Sequence, residues 1–99
     1  MLFLVHTWDR PGALDVRLAN RNDHFAWLTS AGDAVKAAGP WLDDDTGDMA
    51  GSLLVVEAED RAALDAWLAE DPYARAGLFE RVEIAPWRWV VNAPTDSAA

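Results

Sequence analysis

The sequence contains no cysteine, and only two histidines occur among its 99 residues. Without a thiol, the chain forms no disulfide, no zinc–thiolate site and no iron–sulfur cluster, and it cannot use a thiolate as nucleophile. No apolar run approaches the roughly 20 residues that a membrane-spanning helix needs. The N-terminal residues lack the basic start and the small-residue cleavage site of a signal peptide, so we expect a cytoplasmic protein.

Positive charge is also scarce, since eight Lys and Arg stand against 17 Asp and Glu, for a formal net charge of −9. This excess repels phosphate backbones and anionic lipid, so we expect neither a nucleic-acid partner nor a membrane partner. A small anionic ligand remains compatible with the net charge, because arginines can dominate the field of one pocket.

Sequence signatures of cofactor binding are missing as well. There is no glycine-rich nucleotide loop and no P-loop. The acidic run 43–48 has the composition of a calcium loop but not its register, because the sixth residue is Asp48 instead of Gly and the twelfth is Leu54 instead of Glu. We expect a solvated hairpin turn at this run, and no metal or organic cofactor.

The pattern of apolar residues predicts the element order βαββαβ. Residues 2–8, 51–59 and 79–91 have the β-branched and aromatic content of strands. Residues 34–42 form a further strand, which Gly39-Pro40 either places at a sheet edge or bends. Helices are predicted over 13–31 and, behind an N-cap at Asp60, as far as Asp71-Pro72, with 73–78 as a loop or short turn. This order is ferredoxin-like α+β: a four-stranded antiparallel sheet with both helices on one face, over residues 1–91, followed by a flexible tail at 92–99.

The strands carry apolar residues on both faces, as in the run from Leu2 to Val5. A sheet that is wet on one side alternates more cleanly. The chain is 52% hydrophobic and holds six Trp, more apolar surface than one small core hides. We therefore expect a homodimer in which a second copy covers the sheet face away from the helices.

Three polar residues share one stripe of the first helix. Leu14, Leu18, Phe25 and Leu28 have the spacing of the core face, and Arg17, Arg21 and His24 flank it at the edge of the core. One interpretation is a solvated seam whose long side chains cover apolar surface. The other is a binding site.

Other residues could take part in chemistry, but each of them also has an ordinary structural explanation. Asp71 before Pro72 ends a helix, or it is a carboxylate that orients a histidine, either His24 or His6. His6 lies on the first strand and is favoured as a packed histidine. Ser52 opens a strand after Gly51, and it would need a base within hydrogen-bonding reach to act as a nucleophile.

In their order along residues 1–90, several pieces resemble the YCII-related family of small bacterial proteins. They are Arg17-x-x-x-Arg21-x-x-His24, Gly39-Pro40, Gly51-Ser52, Asp71-Pro72-Tyr73, and Gly77-Leu78 before Pro86-Trp87. The resemblance implies a ferredoxin-like fold, a dimeric α/β barrel, and a cleft centred on His24 and Asp71. Ser52 and the two arginines match recurring positions near that cleft.

The resemblance leaves the chemistry open, because a shared fold does not determine function. A few relatives act as dehydrochlorinases on chlorinated hydroxylated aromatics, and proteins of similar shape include muconolactone isomerases and monooxygenases. Our first hypothesis is a cofactor-independent enzyme, of lyase or isomerase type, that catalyses elimination, isomerisation or hydrolysis, in which His24 is the general acid and base and Asp71 orients it. The small molecule is anionic or aromatic, with Arg17, Arg21 and Ser52 binding it. The alternative is a non-catalytic ligand-binding or interaction module.

Overall fold

The computed structural model describes residues 1–94 and contains one four-stranded antiparallel sheet. The strands are β1 (Leu2–Asp9), β2 (Val35–Leu42), β3 (Met49–Glu57) and β4 (Phe79–Trp87). The helices are α1 (Leu14–Ser30), α2 (Arg61–Leu68) and the short α3 (Pro72–Arg75), and a turn of 3₁₀ helix (Gly32–Ala34) follows α1. The sheet order β2-β3-β1-β4 confirms the ferredoxin-like fold and the edge position of β2.

The main core lies between the sheet and the helices. Phe3 and Val5 from β1 alternate with residues of the opposite face, and in β3 Leu54 and Val56 do the same. These four side chains pack around Leu64 of α2, with Leu28 of α1 at the margin. Both helices therefore cover the same face of the sheet, as the sequence predicts.

The predicted core face of α1 is wrong. Leu18 and Phe25 are 50% and 66% exposed, whereas Arg17 and His24 are 2% and 8% exposed. Leu14 and Leu28 are half-buried. Apolar spacing misleads here because each inward polar group has a hydrogen-bonding partner, which removes most of the cost of burying it.

The segment that was predicted as a loop or short turn, 73–78, contains α3 instead. The carboxylate of Asp71 accepts a hydrogen bond from the backbone N–H of Tyr73 and caps the helix, and Pro72 occupies its first turn. Gly77 ends it with φ +70°, and the N–H of Leu78 donates to the carbonyl of Tyr73. This is a Schellman ending, which explains why Gly77 precedes the buried Leu78.

The predicted strand 79–91 is too long. β4 ends at Trp87, whose partner in the ladder is Leu2, the first residue of β1. Beyond Trp87 there is no strand residue to pair with, so apolar composition alone does not continue the strand. Conversely, β3 begins at Met49, two residues before the predicted start at Gly51.

The predicted tail, 92–99, lies partly outside the described residues, which end at 94. Its separation from a domain over 1–91 stays a prediction. Among residues 1–94, no helix has the length and apolarity to cross a membrane. A cytoplasmic location stays a prediction too.

Candidate active site

His24 and Asp71 are hydrogen-bonded, although they are 47 positions apart in the chain. His24 lies in the second half of α1, and Asp71 immediately precedes α3, which packs against α1. Nδ1 of His24 is 2.7 Å from Oδ1 of Asp71, and the two side chains are 10% and 4% exposed. The same oxygen accepts the N–H of Tyr73 at 2.9 Å, so the cap that starts α3 also fixes the carboxylate against the histidine.

The ring of Tyr73 contacts two residues of α1. It stacks on His24 with centroids 3.8 Å apart and 16° between the planes, and the guanidinium carbon of Arg17 is 4.6 Å from its centre. Arg17 and His24 are two helical turns apart, about 10 Å along the axis, so an aromatic ring fits in the gap between them. Burial raises the pKa of Tyr73 above its ordinary value, against the opposing effect of the Arg17 charge.

Arg17 forms a buried ion pair with Asp9, which is not among the predicted site residues. Its Nε and one terminal nitrogen donate to the two carboxylate oxygens of Asp9, at 2.7 Å and 3.0 Å. The side chains are 3% and 6% exposed. The same terminal nitrogen also donates to Oγ of Ser52 at 2.9 Å. The charge of Arg17 is thus compensated inside the protein before any ligand arrives.

A cavity of about 300 Å³ opens between α1 and the β2–β3 side of the sheet. Arg17, Arg21, His24 and Ser52 all line it, together with Tyr73 and apolar residues such as Leu54. Asp71 does not line this cavity; it lies behind His24 beside a smaller inner cavity of about 60 Å³. The histidine therefore separates the carboxylate from the larger cavity and presents its own ring there.

Arg21 differs from Arg17 in its surroundings. It is exposed at the cavity wall, and none of the carboxylates described in residues 1–94 lies within ion-pairing distance of it. Its guanidinium is available to an anion in the cavity, whereas that of Arg17 is already bound.

Ser52 is positioned by the unusual packing of Gly51. A Cβ atom at Gly51 would overlap the carbonyl of Thr7 and the indole of Trp41. With glycine there, the Trp41 Nε1–H donates to the Thr7 carbonyl at 2.8 Å, and the Ser52 N–H donates to the Thr7 hydroxyl oxygen at 2.9 Å. The close approach holds Ser52 in place at the cavity wall.

His6 does not belong to this site. It alternates with Val5 and Thr7 along β1 and so points to the sheet face away from the helices. There it is half-buried and stacks on Trp8, with centroids 3.8 Å apart. Of the two histidines, His24 is the one that the fold brings to Asp71.

Metal ligands do not cluster in the described part of the chain, where no group of three or more His, Asp or Glu side chains converges. In the acidic turn before β3, the carboxylate of Asp43 accepts hydrogen bonds from within the turn. Backbone N–H groups of Thr46 and Asp45 donate to Asp43, and these bonds hold the pKa of its carboxyl below the ordinary value.

Asp9 and Thr7 are the site residues that sequence reasoning missed. Asp9 is the last residue of β1 and looks like part of the turn Asp9-Arg10-Pro11-Gly12. The signal that could have identified it is Arg17: once an arginine is assigned to an inward helix face, a buried carboxylate must be sought for it.

The chain belongs to the YCII-related family, because the model of the YCII-related domain matches residues 1–88. Protein YciI of Escherichia coli O6:H1 is 33% identical over 97 residues, covering 91% of this chain and 99% of that protein. An uncharacterized protein of Haemophilus influenzae shows the same identity and coverage. These matches confirm the family predicted from the motifs.

Two solved structures illustrate the range of the fold. The 5-chloro-2-hydroxyhydroquinone dehydrochlorinase TftG of Burkholderia phenoliruptrix, in complex with 2,5-dihydroxybenzoquinone, superposes with a TM-score of 0.85 at 38% identity, covering 89% of this chain and 94% of TftG. SnoaB, a cofactor-independent oxygenase of Streptomyces nogalater, has a TM-score of 0.61 at 15% identity, covering 93% and 97%. The second likeness concerns the fold alone, while the first extends to sequence.

Proposed function

We propose that the protein is a cofactor-independent enzyme that uses His24 as general acid and base on a small oxygenated molecule. The observation that carries the proposal is the 2.7 Å bond between His24 Nδ1 and Asp71, with the histidine lining a cavity of about 300 Å³. A carboxylate that accepts Nδ1–H leaves the lone pair on Nε2, the nitrogen that can then remove a proton from a bound molecule.

Elimination and isomerisation fit a single base of this kind. In an elimination, Nε2 accepts the proton while the leaving group departs with its bonding electron pair. In an isomerisation, the same nitrogen returns the proton to another atom of the substrate. Asp71 stabilises the imidazolium formed in either step, and Tyr73 keeps the ring from turning.

The substrate class that we propose is a hydroxylated aromatic or a small anion. The aromatic and apolar lining suits a planar ring, and Arg21, which pairs with no carboxylate among residues 1–94, supplies a positive charge for an anionic group. The likeness to TftG, a dehydrochlorinase observed with 2,5-dihydroxybenzoquinone, supports this class.

A homodimer is part of the same proposal. The sheet face away from the helices carries His6 and Trp8, and Trp41 meets both rings there. Leu53 of the same face is 44% exposed in a single chain. A second copy would cover these side chains and complete a barrel-like sandwich of two sheets.

The test is turnover of a panel of chlorinated and plain hydroxyhydroquinones, catechols and small unsaturated lactones, followed by chloride release and ultraviolet absorbance. We expect His24→Gln to lower kcat/KM by about 10²-fold or more. His6→Gln, the same change at the other histidine, is the control and should keep activity. Equal activity in wild type and His24→Gln would contradict the catalytic role.

The rival function is a binding module without catalysis. The observation in its favour is the low exposure of His24, which a packed structural pair would share. Binding of panel compounds without turnover of any of them by the wild type would support that rival.

A further inference from the structure

We infer that Ser52 is a hydrogen-bond donor to a substrate oxygen that gains negative charge in the reaction, and that Asp9 and Arg17 position it for that task. This inference rests on the proposed function, because the oxygen that accepts from Ser52 belongs to the substrate on which His24 acts. The group recognised by Ser52, beside His24, is then a phenol or enol oxygen.

The direction of the serine hydroxyl follows from its neighbour. Oγ of Ser52 accepts a hydrogen bond from the Arg17 guanidinium at 2.9 Å, which occupies one lone pair. A cation on that side repels the hydroxyl hydrogen, so the hydrogen must rotate away from Arg17. Ser52 is only 3% exposed, and within residues 1–94 no acceptor lies within hydrogen-bonding distance of that hydrogen.

The missing acceptor is best supplied from the larger cavity. Ser52 lines both the cavity of about 300 Å³ and the inner one of about 60 Å³. Six of the ten residues around the inner cavity are apolar, which makes it a poor source of an acceptor. In the larger cavity, Ser52 and His24 line the same space, so one bound molecule can meet the base and the hydroxyl together.

The ion pair behind Ser52 determines which oxygen it suits. The two carboxylate oxygens of Asp9 accept hydrogen bonds from Nε and one terminal nitrogen of Arg17 and compensate its charge, so Arg17 does not meet a ligand as a full cation. Beside the compensated guanidinium, the buried Ser52 presents a polarised O–H to the cavity. Such a donor stabilises negative charge on the oxygen held beside it, as in a phenolate or an enolate. A second anionic group of the same molecule would find its partner at Arg21.

Ser52 is then not a nucleophile. A nucleophilic hydroxyl needs a base within hydrogen-bonding reach, and the partner of Oγ in this structure is an arginine, which only donates. His24 and Asp71 share no hydrogen bond with Ser52 among the described residues, so the three do not form a Ser-His-Asp triad in this structure.

The experiment uses a series of substituted nitrophenols, unreactive probes whose bound ionisation state is read from visible absorbance. In wild type, the affinity of the phenolate should rise with the pKa of the phenol, because a more basic oxygen accepts a stronger hydrogen bond. Ser52→Ala should lower affinity roughly tenfold or more and flatten that dependence. Ser30→Ala makes the same change at an exposed serine of α1 and should behave as wild type.

The positioning role of Arg17 requires a separate experiment, because a substitution at a residue with a merely structural role would also lower the affinity for the phenolate. Arg17→Lys retains a charge beside Asp9 but loses the fork that reaches Ser52. As a single substitution, Arg17→Lys should weaken phenolate binding. Added to Ser52→Ala, it should cause no further loss of affinity. If Arg17→Lys does not fold, two measurements on Ser52→Ala still test the donor role of Ser52. They are its thermal unfolding and the dependence of its phenolate affinity on the pKa of the phenol.

The outcomes separate this inference from the proposed function. An unchanged pKa dependence in Ser52→Ala, with His24-dependent turnover elsewhere, overturns the inference and leaves the proposed function standing. A flattened dependence in a protein that turns over none of the panel supports the donor role of Ser52 alone. Failure of wild type to bind any phenol overturns both the inference and the aromatic substrate class.

Discussion

The imidazole of His24 lies flat on the phenol ring of Tyr73 while its edge is bonded to Asp71. Asp71 and Tyr73 are separated in the chain only by Pro72. As the N-cap of α3, Asp71 also accepts a hydrogen bond from the backbone N–H of Tyr73. One short turn of helix thus restrains the histidine from its edge and from its face. The direction of Nε2 follows from that restraint.

Tyr73 should ionise late, and the protein should lose stability as it does. Burial raises the folded pKa above the unfolded value near 10, so the stabilisation is fully present below about pH 10 and is lost as pH rises through the folded pKa. Because Tyr73 is the only tyrosine, absorbance at 295 nm follows it directly. Tyr73→Phe should show a smaller loss above pH 10, and tyrosine ionisation at the same pH in folded and urea-unfolded protein would contradict the burial argument.

Asp71→Asn should change the tautomer of His24. The carboxylate accepts from Nδ1, which places the proton of the neutral ring there. An amide no longer enforces this arrangement, so the fraction with the proton on Nε2 should rise and kcat should fall by about 10²–10⁴-fold. Long-range proton–nitrogen NMR measures the tautomer, with His6 in the same spectrum as an internal control. A His24 tautomer that is insensitive to the substitution would remove Asp71 from its orienting role.

Arg17→Gln should destabilise the fold far more than loss of an exposed arginine. It leaves the carboxylate of Asp9 buried without a partner, at a cost of about 3–5 kcal/mol. The matched control is Arg61→Gln, whose ion pair with Asp65 is 55% and 54% exposed. That change should cost at most about 1 kcal/mol. Urea unfolding compares the two, and similar small losses would show that the Arg17 pair is hydrated in solution.

Two glycines of the sheet should respond in opposite ways to alanine. At Gly51 the added methyl overlaps the Thr7 carbonyl and the Trp41 indole, so we expect a loss of about 1–3 kcal/mol or more in the free energy of unfolding. At Gly39 a Cβ meets no atom within 4 Å, and the change should be within about 1 kcal/mol of neutral. Trp fluorescence during denaturation reports both, and equal stability of the two variants would rule out the close packing at Gly51.

The outer face of the sheet should hold two copies together. Multi-angle light scattering at micromolar concentration should give twice the 10.9 kDa mass of the chain. Leu53→Asp, on that face, should shift the protein towards monomer, since a stable interface of this kind buries on the order of 2,000 Å². Leu18→Asp makes the same change at a similarly exposed leucine of α1 and should not. A wild-type monomer would refute the dimer.

The element order could be read from the sequence because it depends on local signals. Strand-like runs, the N-cap at Asp60 and the stop at Asp71-Pro72 act over a few residues, and their order leaves few topologies. The misjudged parts are those that depend on a distant partner. Strand β4 ends where β1 no longer pairs with it, and α3 exists because Asp71 caps it.

The sequence by itself determined the fold class, the absence of thiol chemistry and, through its motifs, the family. The pairing of His24 with Asp71 was implied by the family resemblance, because the residues alone left His6 as an alternative. Only the tertiary structure decided that Leu18 and Phe25 are exposed while Arg17 and His24 are buried. It also decided that Arg17 pairs with Asp9, whereas Arg21 pairs with none of the carboxylates in residues 1–94. The physical reason is that helical spacing shows which residues share a face of the helix, but not which groups of other elements pack against that face. A charged side chain is buried when a distant carboxylate compensates it, and that carboxylate comes to it only through folding.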